Sequence, residues 1–162
     1  MIKKEKYSAA ILVIGDEILS GRTQDTNSNF IAKEMEIIGI DTSQIRVIPD
    51  EKNTIIESVN ELRVKNDYLF TTGGIGPTHD DITADSIAEA FRVDLEINLE
   101  AYETLKKYYE KIGSEFNDIR QRMARIPKGA TLIENSISAA PGFKIENVFV
   151  FAGIPKIMKA ML

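Results

Sequence analysis

Residues 67–91, DYLFTTGGIGPTHDDITADSIAEAF, carry the reading that decides the fold. Residues 67–71 are a short run of β-favouring side chains and read as a strand. Three glycines follow at Gly73, Gly74 and Gly76, and after them Ala84, Ile87, Ala88 and Phe91 recur on one face of a helix. A strand, a glycine loop and a helix in that order are the parts of an open α/β sheet.

The same alternation extends upstream. Residues 9–14 are continuously apolar and end at Gly15, the pattern of a parallel strand covered on both faces. A polar loop follows, and then Phe30, Ile31, Met35 and Ile38 mark a helix that stops at Gly39, with Asn27 or Ser28 as its cap. Residues 40–48 read as a second strand broken by Pro49-Asp50, and Asn53 is expected to cap a helix carrying Ile55, Ile56, Val59 and Leu62. Three strand–helix alternations predict a mostly parallel α/β sheet with right-handed crossovers and helices on both sides.

Downstream, Leu99, Tyr102, Leu105, Tyr109 and Ile112 predict a longer helix that is an excursion from the sheet, ended by Gly113, with more helix over residues 115–124. Residues 131–133 read as a short strand. Residues 142–145 and 148–151 read as a hairpin around Glu146-Asn147, with Asn147 accommodating a positive φ. Pro155 opens a last helix at its favoured first position. The chain stops at Leu162 inside that helix, which leaves room for a longer natural protein; residues 1–162 are expected to form one domain.

Composition narrows the chemistry. The net charge of −5 comes from intermixed acids and bases, so no basic stripe is available for a nucleic acid. Without cysteine there are no disulfides, thiolate nucleophiles or sulfur-held metals, and chemistry must come from oxygen and nitrogen. The N-terminal apolar run is too short for a signal peptide and meets Asp16-Glu17 at once. No stretch reaches the roughly 20 apolar residues of a membrane span, so a soluble, cytoplasmic protein is expected.

Ligands of open α/β sheets bind at the carboxyl ends of the strands, where Thr72, Gly73, Gly74 and Gly76 fall. Glycines there allow positive φ and bring backbone N–H groups close to an anion, and the following helix adds its positive end. No lysine follows as in a Walker loop, and the third glycine of the dinucleotide fingerprint is missing. In place of a lysine stand His79, Asp80 and Asp81. A carboxylate beside a phosphate repels it unless a cation lies between, which points to magnesium. The plainer alternative is that Thr78 caps the helix with Asp81 in a capping box. His79, the only histidine, can donate a proton, stabilise negative charge or be simply solvated. Asp85 can join a metal shell or face solvent.

Gly15, Asp16 and Glu17 end the first strand on the same edge. Asp25 and Asn27 belong to a loop of short polar side chains that suits either a ligand wall or ordinary turns. Arg120, Arg122 and Arg125 can neutralise phosphates or form a solvated helix face. Pro141 and Gly142, in the small-residue loop of residues 138–143, can approach a ligand or merely shape the hairpin.

TTGGIGPTHDDIT at residues 71–83, with GDEILSGRTQDTNS at 15–28 before it and APGF at 140–143 and GIP at 153–155 after it, resembles the molybdopterin-binding fold shared by MogA, MoaB and MoeA. It is most similar to the CinA-type branch, which also supplies the N-terminal domain of eukaryotic FAD synthases. The resemblance implies a three-layer α/β/α sandwich and a homo-oligomer, a dimer or trimer. In MogA-like domains the acid matching Asp81 supports magnesium-dependent adenylylation of molybdopterin. In CinA-type domains the implied activity is a metal-dependent pyrophosphatase acting on ADP-ribose or dinucleotides such as FAD, with magnesium, cobalt or manganese. Carried onto this chain, that reading places Asp81 and Asp16 around the metal, Asp80 or His79 near the attacking water, and the loop amides on phosphate. Gly15, Glu17, Asp25, Asn27, Thr72, Pro77, Thr78, Pro141 and Gly142 complete the expected ligand site for a phosphorylated pterin or nucleotide. Many CinA-type chains have lysine where this one has His79, and proline where it has Ala152. The deamidase domain of full-length CinA proteins has no counterpart in these residues.

Overall fold

The apolar run at residues 9–14 lies at the centre of the molecule because both of its faces are covered. In the computed structural model, which describes residues 6–162, it forms most of strand β1 (Tyr7–Ile14); the basic start of the chain, residues 1–5, lies outside the described residues. Next come helices α1 (Asp16–Leu19) and α2 (Asn27–Ile37), strand β2 (Ile40–Ile48), α3 (Lys52–Lys65), β3 (Tyr68–Thr72) and α4 (Thr83–Phe91). An excursion then comprises β4 (Leu95–Ile97), α5 (Leu99–Lys111), α6 (Asp118–Gln121), a 3₁₀ turn (Arg122–Ala124) and β5 (Arg125–Pro127). The chain closes with β6 (Thr131–Ile133), β7 (Gly142–Ile145), β8 (Val148–Phe151) and α7 (Pro155–Met161).

Successive side chains of β1 point to opposite faces and so divide the core in two. Ala9, Ile11 and Val13 pack with Ile31 and Met35 of α2 and Met158 and Met161 of α7. Ala10, Leu12 and Ile14 pack with Ile55, Val59 and Leu62 of α3 and Ile87 of α4. Helices on both faces of one sheet make the expected α/β/α sandwich. The sheet order is β2-β1-β3-β8-β7-β6; β2, β1, β3 and β8 are mutually parallel, while β7 is antiparallel to both of its neighbours.

Several local expectations are corrected. Asn27 and Ser28 do not cap α2 with their side chains; Asp25 does, its Oδ1 accepting the N–H groups of Asn27 at 3.0 Å and Ser28 at 3.1 Å. Helix α3 begins before Asn53, following Glu51, whose carboxylate accepts the Thr54 hydroxyl at 3.0 Å. In the hairpin it is Glu146, at φ 48°, that is left-handed. The Asn147 amide instead donates to the Arg63 and Asn66 carbonyls at 2.8 and 3.2 Å, tying the turn to the end of α3. Ile38 falls just past α2 and is exposed. The helix expected over residues 115–124 contracts to α6 and the 3₁₀ turn, and β4 pairs with β5 in an unanticipated antiparallel ladder at the base of the excursion.

Candidate functional site

The chain leaves β1 toward α2 on one face of the sheet and leaves β3 toward α4 on the other, so a crevice opens between the two carboxyl ends. Gly73 sits where the crevice is tightest. Its φ is 108°, and a Cβ there would run into the Ile14 carbonyl oxygen of the neighbouring strand, so only glycine fits. Thr83, the first residue of α4, ties the loop down: its hydroxyl donates to the Gly73 carbonyl at 3.0 Å and its N–H to the Gly74 carbonyl at 3.0 Å.

The helix therefore starts later than expected, and Thr78 is not its cap. The Thr78 N–H and hydroxyl both donate to Asp81 Oδ2, at 2.9 and 2.7 Å, closing a turn within the loop. Asp85 is not part of a metal shell, because it forms a two-pronged ion pair with Arg125 at 3.1 and 2.9 Å.

Two of the hollows on this edge are large enough for a ligand. The larger, a cleft of ≈ 520 Å³, is walled by Gly73, Gly74, Gly76, Pro77 and Asp81, by Tyr109 and Met123 from the excursion, by Asn135 and Ser138, and by Gly153, Ile154 and Pro155 after β8. Beside it lies an acidic pocket of ≈ 330 Å³ formed by Asp16, Glu17, Arg22, Asp50, His79, Asp80 and Ile82. Glu17 borders both.

In the acidic pocket Asp16 and Asp50 brace each other: the Asp16 N–H donates to Asp50 Oδ2 at 3.0 Å and the Asp50 N–H to Asp16 Oδ1 at 3.3 Å. Burial pushes the Asp50 carboxyl above its usual range, and the charges of Asp16, Glu17 and Asp81 push it further against the lowering effect of the Asp16 N–H. His79 Nε2 lies 3.0 Å from Asp80 Oδ1, and both side chains are largely exposed. Among the described residues no three His, Asp or Glu side chains converge as a ready-made metal cage.

Asp25, Asn27 and Thr72 line a smaller hollow beside Gly73, and their polar groups also tie the frame together. Thr72 is buried; its hydroxyl donates to the Ala152 carbonyl and accepts from the Asn27 amide, both at 2.8 Å. The same Asn27 amide donates to the Gly153 carbonyl at 2.8 Å, which fixes α2 to the ends of β3 and β8. Asp25 is occupied with capping α2. Gly15 donates its N–H to the Ile48 carbonyl at 3.0 Å, Gly142 lies against the Val150 carbonyl, and Pro141 lines a separate small hollow behind the loop. Sequence reasoning missed Asp50, Asn135, Tyr109 and Met123. Asp50 had been read only as a strand breaker, and the two excursion residues only as helical positions.

The family described as a probable molybdopterin binding domain matches residues 10–162. A protein of Pyrococcus furiosus is 39% identical over 169 residues, covering 95% of this chain and 66% of its own length, so the chain spans less than two thirds of that relative. The crystal structure of the CinA protein of Thermoplasma acidophilum, of unknown function, is 32% identical with a TM-score of 0.89, covering 98% of this chain and 95% of that one. The tungsten cofactor synthesizing protein MoaB of Pyrococcus furiosus shares the fold at a TM-score of 0.59 and 21% identity, covering 97% and 88% of the two chains.

Proposed function

This chain belongs to the molybdopterin-binding domain family, in its CinA-type branch, and on that premise we propose that it binds a phosphorylated pterin or nucleotide and hydrolyses the phosphoanhydride of ADP-ribose- or FAD-like dinucleotides with a divalent metal. The observation that carries the reading is the pairing, across Glu17, of a cleft floored by glycine backbone with a pocket whose four carboxylates outnumber its single arginine. One suits a phosphate and the other a cation.

The residues present fit a hard cation. Asp16, Glu17 and Asp50 offer oxygen ligands, and the burial and like charges that raise Asp50 are offset by a positive charge beside it. Magnesium is commonly held by one or two carboxylates together with waters and substrate phosphates. Asp16 and Asp81 would hold it, and when bound it would supply charge neutralisation and a more acidic water.

The chain's own residues do the rest. The amides of Gly74 and Gly76 orient the diphosphate, and Tyr109 and Met123 give a ring an apolar wall. Water attacks one phosphorus, the bridging P–O bond breaks, and ADP-ribose yields AMP and ribose phosphate. The water's proton passes to Asp80 or His79, which lie on the solvent side of the pocket. Incubating the purified protein with ADP-ribose or FAD and magnesium, cobalt or manganese tests this. Release of AMP is expected, falling at least 100-fold in Asp81→Ala. No product with any pairing, or an unchanged rate in the variant, would sink it.

A second reading, a binding module without turnover, is favoured by the engagement of Asp81 Oδ2 with Thr78. Calorimetry would then give metal-dependent binding with no product.

A further inference from the structure

The loop lacks the lysine of other phosphate loops, but a cation reaches it from elsewhere. Of the three arginines between α6 and β5, two are committed. Arg125 holds Asp85, and Arg120 donates to Ser114 Oγ at 2.8 Å and to the Glu115 carbonyl while stacking on Tyr109 at 4.4 Å. The side chain of Arg122, on the 3₁₀ turn, has no hydrogen bond or ion pair among the described residues, and its Nε is buried without a partner. Leaving a guanidinium donor desolvated and unmatched costs free energy. Arg125 Nε is likewise without a partner, but its two terminal nitrogens hold Asp85, whereas no group of the described chain takes those of Arg122.

Its position gives the reason. Arg122 borders a hollow of ≈ 20 Å³ directly behind Gly74 and Gly76. Gly74, Gly76, Asp81 and Met123 line both this hollow and the main cleft, so the two adjoin across the glycine loop. The space is about one water molecule in size, too small for a phosphate but sufficient for one of its oxygens. Asp81 shares the hollow and does not pair with Arg122; its Oδ2 is turned to Thr78.

We infer that Arg122 is the cationic anchor of the glycine loop: it takes one oxygen of a phosphate seated in the cleft and makes the site select phosphorylated over unphosphorylated ligands. The inference rests on the reading of the cleft as a phosphate site and adds the residue that neutralises the charge. A guanidinium suits the task better than an ammonium because its planar fork can meet a phosphate oxygen while the stem stays packed.

Calorimetric titration of wild type, Arg122→Gln and Arg122→Lys with ADP-ribose carrying a methylene bridge between its phosphates, which resists hydrolysis, and with adenosine, in magnesium, tests this, with thermal melting of each ligand-free protein alongside. A charge-assisted bond of this kind is worth roughly 10- to 100-fold in affinity. ADP-ribose is expected to weaken by that factor in Arg122→Gln and to recover in part in Arg122→Lys, with adenosine unaffected. The ligand-free melting temperature should hold, since no side-chain bond within the described chain is lost. Equal ADP-ribose affinity in wild type and Arg122→Gln would overturn the role of Arg122 and leave the phosphate site standing. A lowered melting temperature in both variants, with parallel loss of adenosine and ADP-ribose, would make Arg122 structural. Failure of wild type to bind any phosphorylated ligand would overturn the cleft reading and this inference with it.

Discussion

The cleft and the acidic pocket lie on one sheet edge and share Glu17, yet they are built on different principles. The floor of the cleft is backbone: Gly73 lies against the Ile14 carbonyl and receives a hydrogen bond from Thr83, and its N–H donates to the Phe151 carbonyl at 3.1 Å. Nothing there can shift without moving a strand. The acidic pocket is made of side chains, where like charges face one another and the Asp16–Asp50 brace keeps them together. The difference teaches that shape is fixed on one side and charge is left adjustable on the other.

The largest expected effect breaks the rigid side. Gly73→Ala puts a methyl group on the Ile14 carbonyl at a positive φ and should destabilise by roughly 3–5 kcal/mol, read as a fall in the denaturant midpoint. A milder change probes the same wall. Thr83→Val keeps the shape and removes the buried hydroxyl from the Gly73 carbonyl, with an expected cost of about 1–3 kcal/mol in chemical denaturation.

The adjustable side should respond in the opposite sense, and least. Because folding raises the Asp50 carboxyl above its ordinary value of 3.8, its stabilising contribution is full below that value and is lost as pH rises through the folded pKa. At neutral pH the ionised group is a burden. Asp50→Asn, which can still accept the Asp16 N–H, should therefore raise the melting temperature at pH 7, with the gain shrinking as pH falls toward 4. A lowered melting temperature at pH 7 would mean that the carboxylates are not repelling one another and that the contrast between the two hollows is false.

The six strands of the main sheet and the helices packed on it were readable because each depends on a local signal: the apolar run of residues 9–14, the heptad-like spacing of Ile55, Val59 and Leu62, Pro155 at the head of α7. The glycine loop was readable for the same reason. What could not be read is non-local. The β4–β5 ladder joins two three-residue strands about 30 positions apart, too short to stand out from their surroundings. Asp50 gains its significance from Asp16, far away in sequence, and Arg122 differs from Arg120 and Arg125 only in lacking a partner. The capping box at Thr78 and Asp81 was a correct pairing assigned to the wrong element, since a turn and a helix start use the same reciprocal chemistry.

The strand next to the glycine loop is the last of the main sheet to be made. β8 inserts between β3 and β7 in the sheet, and Gly153, just beyond it, accepts from Asn27 across 126 positions of sequence. While the chain is being synthesised, β1, β2 and β3 can pair and the loop can exist, but its far wall has not yet left the ribosome. A nascent chain therefore has no cleft to fill, and ligand can be held only by a molecule whose synthesis has reached α7.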